Sequence, residues 1–270
     1  MKALALDTAI SCIQIAAKND GYLASLTLDI GMRQSEKLLP AIDYVLKQAG
    51  LTPGDLDYTV LAQGPGSFTG LRLGFAALKA IELFGGLKDG ADHELALQDM
   101  NAEQGKKAAN SRIPLYGINS LDAYAWPFMD FDGIVLPIID AHKEKFYAKA
   151  FLNGMEILPC DDWDLRALEE KLLAAANDNL LQGQKLAAKD TVLVCGLEAK
   201  IFADACKENN LFKGKKIISQ RGRSISLESL FALAEEKISK GLSPLADYDG
   251  PQYFRASEAE RNVADAPSAQ

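Results

Sequence analysis

The sequence is poor in histidine and cysteine, the side chains that most often bind transition metals. Its 270 residues include two histidines, His93 and His142, and neither belongs to an H-x-x-x-H or H-E-x-x-H pattern. No C-x-x-C spacing occurs among the four cysteines, Cys12, Cys160, Cys195 and Cys206, which favours scattered reduced thiols over a zinc or redox motif. We therefore expect no dedicated metal site, and a metalloprotease is excluded because its zinc ligands are missing.

Long apolar runs and excess positive charge are also missing. No stretch approaches the ~18 apolar residues of a membrane span, and the N-terminus reaches Asp7 before a signal sequence can form. We thus expect a cytoplasmic protein without membrane contact. Lys+Arg total 29 against 37 Asp+Glu, a net charge of −8, so no overall field attracts phosphate backbones. Basic residues concentrate at 213–216, Arg221 and Arg223, where a nucleic-acid contact and a solvated loop are both open.

Two stretches of the chain share a pattern of apolar strand, terminal aspartate and hairpin. Residues 3–6 end at Asp7 and residues 134–139 end at Asp140, and a turn glycine follows 14 positions after each aspartate. The likeness covers only about 20 residues per copy, so internal duplication and chance similarity are both open. In a duplicated fold, we expect the two carboxylates to face the cleft between two similar lobes.

The rest of the chain alternates predicted helices and strands, which favours mixed sheets flanked by helices. The apolar patterns predict strands over 58–62, 114–117 and 191–195 and helices over 36–49, 69–84, 164–177, 199–209 and 227–240.

Composition divides this alternation into two lobes. Residues 85–112 are charged and lack a clean apolar period, so we predict a surface insertion. Residues 256–270 are small and polar, which predicts a flexible tail. We expect an N-terminal lobe over 1–113, which includes the insertion, and a C-terminal lobe over 114–255, with the 227–240 helix packing back on the N-terminal lobe.

A glycine-rich turn, Gly-Pro-Gly-Ser-Phe-Thr-Gly-Leu-Arg over residues 64–72, joins a predicted strand to a predicted helix. It lacks the Gly-Lys-Ser/Thr of a Walker loop and the G-x-G-x-x-G dinucleotide fingerprint. Glycine supplies unusual backbone angles there, and a hydroxyl can accept a hydrogen bond at the start of the helix. A structural turn and a phosphate or partner contact are both open, and the candidate residues are Gly64, Pro65, Gly66, Ser67, Thr69, Gly70 and Arg72.

This turn and four further blocks resemble the TsaB (YeaZ) family. The blocks are residues 35–40, 64–72, 114–121, 139–141 with Tyr147, and 251–255. The nine-residue glycine-rich block is highly specific, whereas the Ser-Glu-x-Leu-Leu-Pro pattern in the first block is weak alone. The chain departs from the family in having Gln34 where many members have histidine, and in its longer insertion.

The resemblance implies a duplicated actin-like fold (ASKHA, ribonuclease H-like) of two lobes, with mixed sheets flanked by helices. It also implies a non-catalytic assembly subunit that forms a heterodimer with its paralogue, the threonylcarbamoyl transferase TsaD. That complex, with the ATPase TsaE, modifies the adenosine next to the anticodon of tRNA. This chain would then have no cofactor of its own, since partner subunits handle ATP and threonylcarbamoyl-adenylate, would contact tRNA indirectly, and would be able to form a homodimer in isolation.

Two predicted helices are apolar over more than one narrow face. Such a helix buries its second face either against the sheet of its own lobe or in a partner. The resemblance favours the partner, with two helices from each protomer forming a four-helix bundle. The predicted interface residues are Leu38, Leu39, Ile42, Val45 and Leu46 on the first helix and Leu71, Phe75 and Leu78 on the second.

The two strand-terminal aspartates, Asp7 and Asp140, lie where kinase-like relatives hold metal-bound phosphate or a catalytic base. The residues after the first, Thr8 and Ala9, lack the paired glycine that lets a backbone close around a phosphate. A structural role and a vestigial nucleotide cleft therefore stay open. The alternative function is a free-standing ATPase or small-molecule kinase of the same superfamily.

Overall fold

A computed structural model describes the chain in four segments, residues 1–85, 112–180, 190–220 and 227–254. Several predictions lie outside them: most of the 85–112 insertion, His93, the basic residues Arg221 and Arg223, and the 256–270 tail. Within the four segments, no helix has the length and apolar character of a membrane span.

Ten strands in the described segments form two five-stranded sheets with the same connectivity. The first sheet has the order β3-β2-β1-β4-β5, with β1 (Lys2–Asp7), β2 (Ile13–Asn19), β3 (Tyr22–Leu28), β4 (Tyr58–Gly64) and β5 (Leu115–Asn119). The second has the order β8-β7-β6-β9-β10, with β6 (Ile134–Asp140), β7 (Lys145–Leu152), β8 (Met155–Asp164), β9 (Thr191–Cys195) and β10 (Lys216–Ser219). In each sheet the first strand pairs antiparallel with the second and parallel with the fourth. This repeat confirms the duplicated two-lobe fold with mixed sheets.

Six described helices flank the sheets: α1 (Gln34–Gln48), α2 (Phe68–Phe84), α3 (Ser120–Ala125), α4 (Leu165–Leu180), α5 (Ala199–Glu208) and α6 (Leu227–Ser239). Left-handed residues follow three of them: Gly50, Asn210 and Gly241. After α1, the N–H of the left-handed Gly50 donates to the Lys47 carbonyl at 3.0 Å, a hydrogen bond that commonly closes a helix at such a residue. Local sequence signals therefore end these helices.

The first compact unit comprises residues 1–63, 69–119 and 226–251 as far as they are described, and it has three layers. On one face of its sheet lies a hydrophobic cluster from β1, α1 and α2, which includes Leu4, Leu6, Leu38, Ile42, Phe75 and Leu78. On the other face α6 packs against β1, β2 and β5. The Glu235 carboxylate of α6 accepts hydrogen bonds there from Lys18 Nζ (2.6 Å) and the Tyr58 hydroxyl (2.9 Å).

The second compact unit comprises residues 64–68, 120–225 and the chain from Gln252, again as far as described. Its core places the Phe202 ring of α5 5.2 Å from the Phe146 ring and 6.3 Å from the Phe212 ring, measured between centroids. The observed units differ from the sequence-based lobes at β5, which the sequence put in the C-terminal lobe. In the structure β5 is the neighbour of β4 in the first sheet, a pairing between distant residues that the sequence does not reveal.

Candidate partner surface and glycine-rich turn

The glycine-rich turn lets α2 pack directly onto the loop that follows β1. A Cβ atom at Gly70 would lie 2.0 Å from the Thr8 carbonyl oxygen, and one at Gly74 would lie 2.4 Å from Thr8 Oγ1. The Thr8 hydroxyl donates to the Gly70 carbonyl at 2.7 Å. Gly64 has a φ of +122°, which disfavours any other residue. These glycines therefore have a packing reason, as the structural interpretation of the turn expects.

The other members of the turn differ in exposure. Pro65 is buried and Gly66 half-buried, whereas Ser67, Thr69 and Arg72 are exposed. Arg72 lies in the second turn of α2, and its residue is exposed at the surface of the first unit.

Three of the family-like sequence blocks meet inside the second unit. The Phe68 ring of the glycine-rich turn packs on the Tyr253 ring of the C-terminal block, with centroids 5.0 Å apart. The next residue, Phe254, approaches Tyr147, with centroids 6.3 Å apart. Two aromatic contacts thus join the C-terminal block to blocks more than 100 positions away in the sequence.

Asp7 ends β1 as a buried carboxylate. Asp7 is 1% exposed, and the Ala9 N–H donates to its Oδ1 at 2.8 Å. Burial raises the pKa of this carboxyl to about 6, and the Ala9 hydrogen bond opposes that rise only in part. The carboxylate is therefore shielded from solvent within the first unit.

Asp140 ends β6 with the same backbone contact and a different exposure. The His142 N–H donates to Asp140 Oδ1 at 2.7 Å, so each of the two aspartates accepts a hydrogen bond from the backbone N–H two residues after it. The Asp140 side chain is 44% exposed, and His142 Nδ1 lies 3.3 Å from its Oδ2. A vestigial nucleotide cleft between these two aspartates stays a prediction.

Metal-binding clusters and disulfides do not appear in the described part of the chain. No three His, Cys, Asp or Glu side chains there converge on a point that could hold a metal ion. None of the four cysteines forms a disulfide, and three of them are buried. Burial raises the pKa of the Cys195 and Cys206 thiols, the latter to about 12, so both thiols stay protonated at neutral pH.

The structure places most of the predicted interface residues in the core of the first unit. Seven of the eight are at most 6% exposed: Leu38, Ile42, Val45, Leu46, Leu71, Phe75 and Leu78. Leu39 is the exception, with 63% of its surface exposed. The core of the first unit therefore takes up seven of the eight predicted positions, and of these eight only Leu39 can touch a partner while the core stays closed.

The outward face of α2 carries apolar residues that the predicted set omits. Ala76 and Ala80 are exposed, Leu83 is 39% exposed and Leu73 is half-buried. Their spacing of three or four residues puts them on one stripe with Arg72. On α1 the outward face carries Leu39 and Tyr44, the latter 53% exposed. The sequence shows this stripe as a second set of apolar residues at helical spacing on α2, but it does not reveal that the stripe faces outward.

Both helices belong to one surface of the first unit. Their inner faces pack into the same hydrophobic cluster, and Gln34 at the start of α1 donates to the Ile10 carbonyl at 3.1 Å. Gln34 Oε1 also lies 3.4 Å from the position of a Cβ at Gly70 on α2. The outward stripes of α1 and α2 thus lie on the same side of the sheet, and we call them the helix-pair surface (Leu39, Tyr44, Arg72, Leu73, Ala76, Ala80 and Leu83).

A family model described as TsaD, tRNA N6-adenosine threonylcarbamoyltransferase, matches residues 31–84. The segment begins just before α1, contains β4 and ends with α2, so it includes the helix-pair surface.

Curated relatives match over longer regions. The tRNA threonylcarbamoyladenosine biosynthesis protein TsaB of Bacillus subtilis is 27% identical over 199 residues, which are 69% of this chain and 75% of that protein. An uncharacterised protein of Mycobacterium tuberculosis is 30% identical over 155 residues, 56% of this chain and 60% of that protein. The match to TsaB of Escherichia coli is 30% identical over 83 residues, 31% of this chain and 36% of that protein.

A solved structure shows the same fold. YeaZ from Pseudomonas aeruginosa aligns with a TM-score of 0.60 over 93% of this chain and 99% of its own, at 19% sequence identity.

Proposed function

We propose, from the similarity of this chain to TsaB proteins, that it is a TsaB-type assembly subunit in tRNA threonylcarbamoyladenosine biosynthesis. In this role it binds a TsaD-type paralogue and supports transfer of the threonylcarbamoyl group to the adenosine next to the anticodon. The chain itself is non-catalytic, and partner subunits handle ATP and threonylcarbamoyl-adenylate. The tRNA is held mainly by the partner, in keeping with the net charge of −8.

The observation that carries the proposal is the extent of the TsaD match. Residues 31–84 contain α1, β4 and α2, so the segment that is similar to TsaD coincides with the helix-pair surface. Two proteins that share this segment can present equivalent helix pairs to each other across a pseudo-twofold axis. Four helices then bury their outward stripes in a bundle, as interacting amphipathic helices do.

The chemistry of the helix-pair surface suits such a bundle. Ala76 and Ala80 have small side chains, which lets a partner helix approach the α2 backbone closely. Leu39 and Leu83 extend beyond them as apolar side chains that are 63% and 39% exposed. Arg72 adds an exposed, positively charged residue at one end of the stripe.

The proposal is tested by measuring the affinity of the chain for its TsaD paralogue by calorimetry, with two matched variants. Leu39→Asp places a charge on the helix-pair surface and should weaken binding by about 2 kcal/mol, a roughly thirtyfold higher Kd. Ile201→Asp makes a similar change at an aliphatic residue of equal exposure, 64%, on α5 of the second unit, and should leave the Kd unchanged.

Two results would contradict the proposal. One is that the unmodified chain does not bind the paralogue, or that Ile201→Asp weakens binding as much as Leu39→Asp does. The other is ATP turnover by the purified chain alone that disappears in Asp7→Ala, since this would favour the free-standing ATPase or kinase. Measuring threonylcarbamoyladenosine in tRNA with and without the chain checks the role in the pathway directly.

The remaining partner proposals follow from the same surface. In the absence of the paralogue, two copies pair through their helix-pair surfaces, and light scattering should then show Leu39→Asp as a monomer. The ATPase TsaE joins the assembled pair rather than the isolated chain, which a pull-down with and without the paralogue distinguishes.

A further inference from the structure

A segment of irregular backbone after α6 runs along the edge of the first sheet. We call residues 243–250 the strap. The Leu245 N–H donates to the Leu115 carbonyl of β5 at 2.8 Å, and β5 is an edge strand of its sheet. The Leu245 side chain packs against the same hydrophobic cluster that α1 and α2 share. The strap therefore covers part of an otherwise open sheet edge, which is a site that sheets usually protect.

One lysine connects the strap to α2. Lys79 Nζ donates to the Ala246 carbonyl at 2.9 Å and lies 2.9 Å from Glu82 Oε2. The Glu82 side chain is 7% exposed, so its carboxylate depends on the lysine for compensation of a buried charge. Lys79 is thereby held in place, and the strap is held with it.

Further contacts hold the strap between Ala246 and Gly250. Asp249 caps the Ala246 N–H at 2.7 Å, which closes a turn beside Lys79, and Arg112 forms an ion pair with Asp247. Near its end, the strap carbonyl at Gly250 accepts from Gln63 Nε2 at 3.0 Å.

The strap also requires a glycine in β5. A Cβ at Gly117 would lie 2.3 Å from Gln63 Oε1 and 3.2 Å from Leu245 Cδ1. The side chains of Gln63 and Leu245 therefore occupy the space that a side chain at position 117 would need. The strap is therefore fitted to the first unit along its length and is distinct from a loose tail.

We propose that the strap is a positioning clamp for α2, so that release of the strap lowers the affinity of the helix-pair surface for its partner. The inference rests on the proposed function for its binding consequence. Lys79 lies one residue before the exposed Ala80 and three after the exposed Ala76, so the strap contact fixes the turn of α2 that presents the alanines. A close helix contact tolerates little movement, because small side chains pack only when the backbones stay near each other. Regulation of assembly would then act through the C-terminal segment and leave the binding residues unchanged.

The test compares the same substitution at two leucines of the full-length chain. Leu245→Asp inserts a charge beneath the strap and leaves α1 and α2 unaltered, whereas Leu242→Asp adds the charge at a residue that is 51% exposed and precedes the strap. For Leu245→Asp, we expect faster proteolysis within residues 243–250, about tenfold faster hydrogen exchange in α2, and an about tenfold higher Kd for the TsaD paralogue. Leu242→Asp should match the unmodified chain in all three.

The outcomes separate this inference from the proposed function. Unchanged exchange in α2 and an unchanged Kd, despite a protease-sensitive strap, overturn the clamp. If the unmodified chain does not bind the paralogue, the proposed function fails, while the exchange of α2 still decides whether the strap positions the helix. If Leu245→Asp does not fold, Lys79→Met is tested instead. Its control is Lys200→Met, which breaks the exposed Lys200–Asp204 pair of α5. Faster exchange in α2 of Lys79→Met alone supports the clamp, and equal exchange in the two variants overturns it.

Discussion

The Asp7→Asn substitution is expected to stabilise the protein at neutral pH and to lose this benefit in acid. Asp7 is 1% exposed at the end of β1, and burial raises the pKa of its carboxyl to about 6. An asparagine oxygen can accept the 2.8 Å hydrogen bond that the Ala9 N–H now donates to the carboxylate. The substitution therefore removes a buried negative charge with little change in shape.

The size of the effect follows from the proton that the folded state binds more tightly than the unfolded chain. Between the ordinary pKa of 3.8 and about 6, the folded state holds more protons, so stability falls as the pH rises through this window. At pH values above this window, the rise of about two pKa units lowers the free energy of unfolding by about 3 kcal/mol. The new amide NH₂ group needs a buried partner, which offsets about 1 kcal/mol. We therefore expect a net gain of about 2 kcal/mol at neutral pH.

Urea unfolding followed by circular dichroism, repeated from about pH 4 to pH 8, measures this difference. The matched control is Asp140→Asn, because Asp140 accepts the equivalent backbone hydrogen bond but is 44% exposed. It should change stability by no more than about 0.5 kcal/mol at any pH. An Asp7→Asn variant that changes stability by the same amount at both ends of the pH range would show that the buried charge is not the cause.

Two further predictions concern the packing of α1 and α2. Gly70→Ala should lower the free energy of unfolding by about 1–3 kcal/mol, because the new Cβ would lie 2.0 Å from the Thr8 carbonyl oxygen. Gly250→Ala is the control and should change it little, because no atom lies within 4 Å of that Cβ position. Urea unfolding measures both variants, and equal losses would contradict the close approach of α2 to Thr8. Leu38→Ala should lower the free energy of unfolding by about 2–5 kcal/mol because Leu38 is 1% exposed. Leu39→Ala should leave the melting temperature nearly unchanged, and a large loss of stability in this variant would show that Leu39 packs inside the fold.

The elements that the sequence predicted are those with local signals. Strand β9 is apolar and short, and its observed bounds, Thr191–Cys195, are those predicted. Helix α1 shows a clear apolar period and ends before a glycine that adopts a φ of +68°. The repeat of apolar strand, aspartate and turn glycine, read over two short stretches, holds for both whole sheets.

The faces of α1 and α2 were not predictable in the same way. Ile42, Leu46 and their apolar neighbours form a broad stripe, and its width does not say whether a sheet or a partner covers each edge. The sheet covers nearly all of it, since two adjacent helices and five strands meet in one cluster. Strand β10 was missed because Lys216 begins it in a basic run, and its pairing with Thr191 of β9 joins residues that are distant in the sequence.

The different exposure of the two equivalent aspartates follows from what each unit places beside them. In the second unit, three consecutive left-handed residues, His142, Lys143 and Glu144, form a charged turn after Asp140, and the carboxylate stays partly in water. In the first unit, glycines at positions 70 and 74 allow α2 to pack against Thr8, directly after Asp7. The close packing of α2 therefore lies directly after buried Asp7 in the chain, on the helix that also carries the exposed alanine stripe. Nucleotide binding beside Asp7, if the predicted cleft is retained, is therefore expected to compete with the packing of α2 against Thr8.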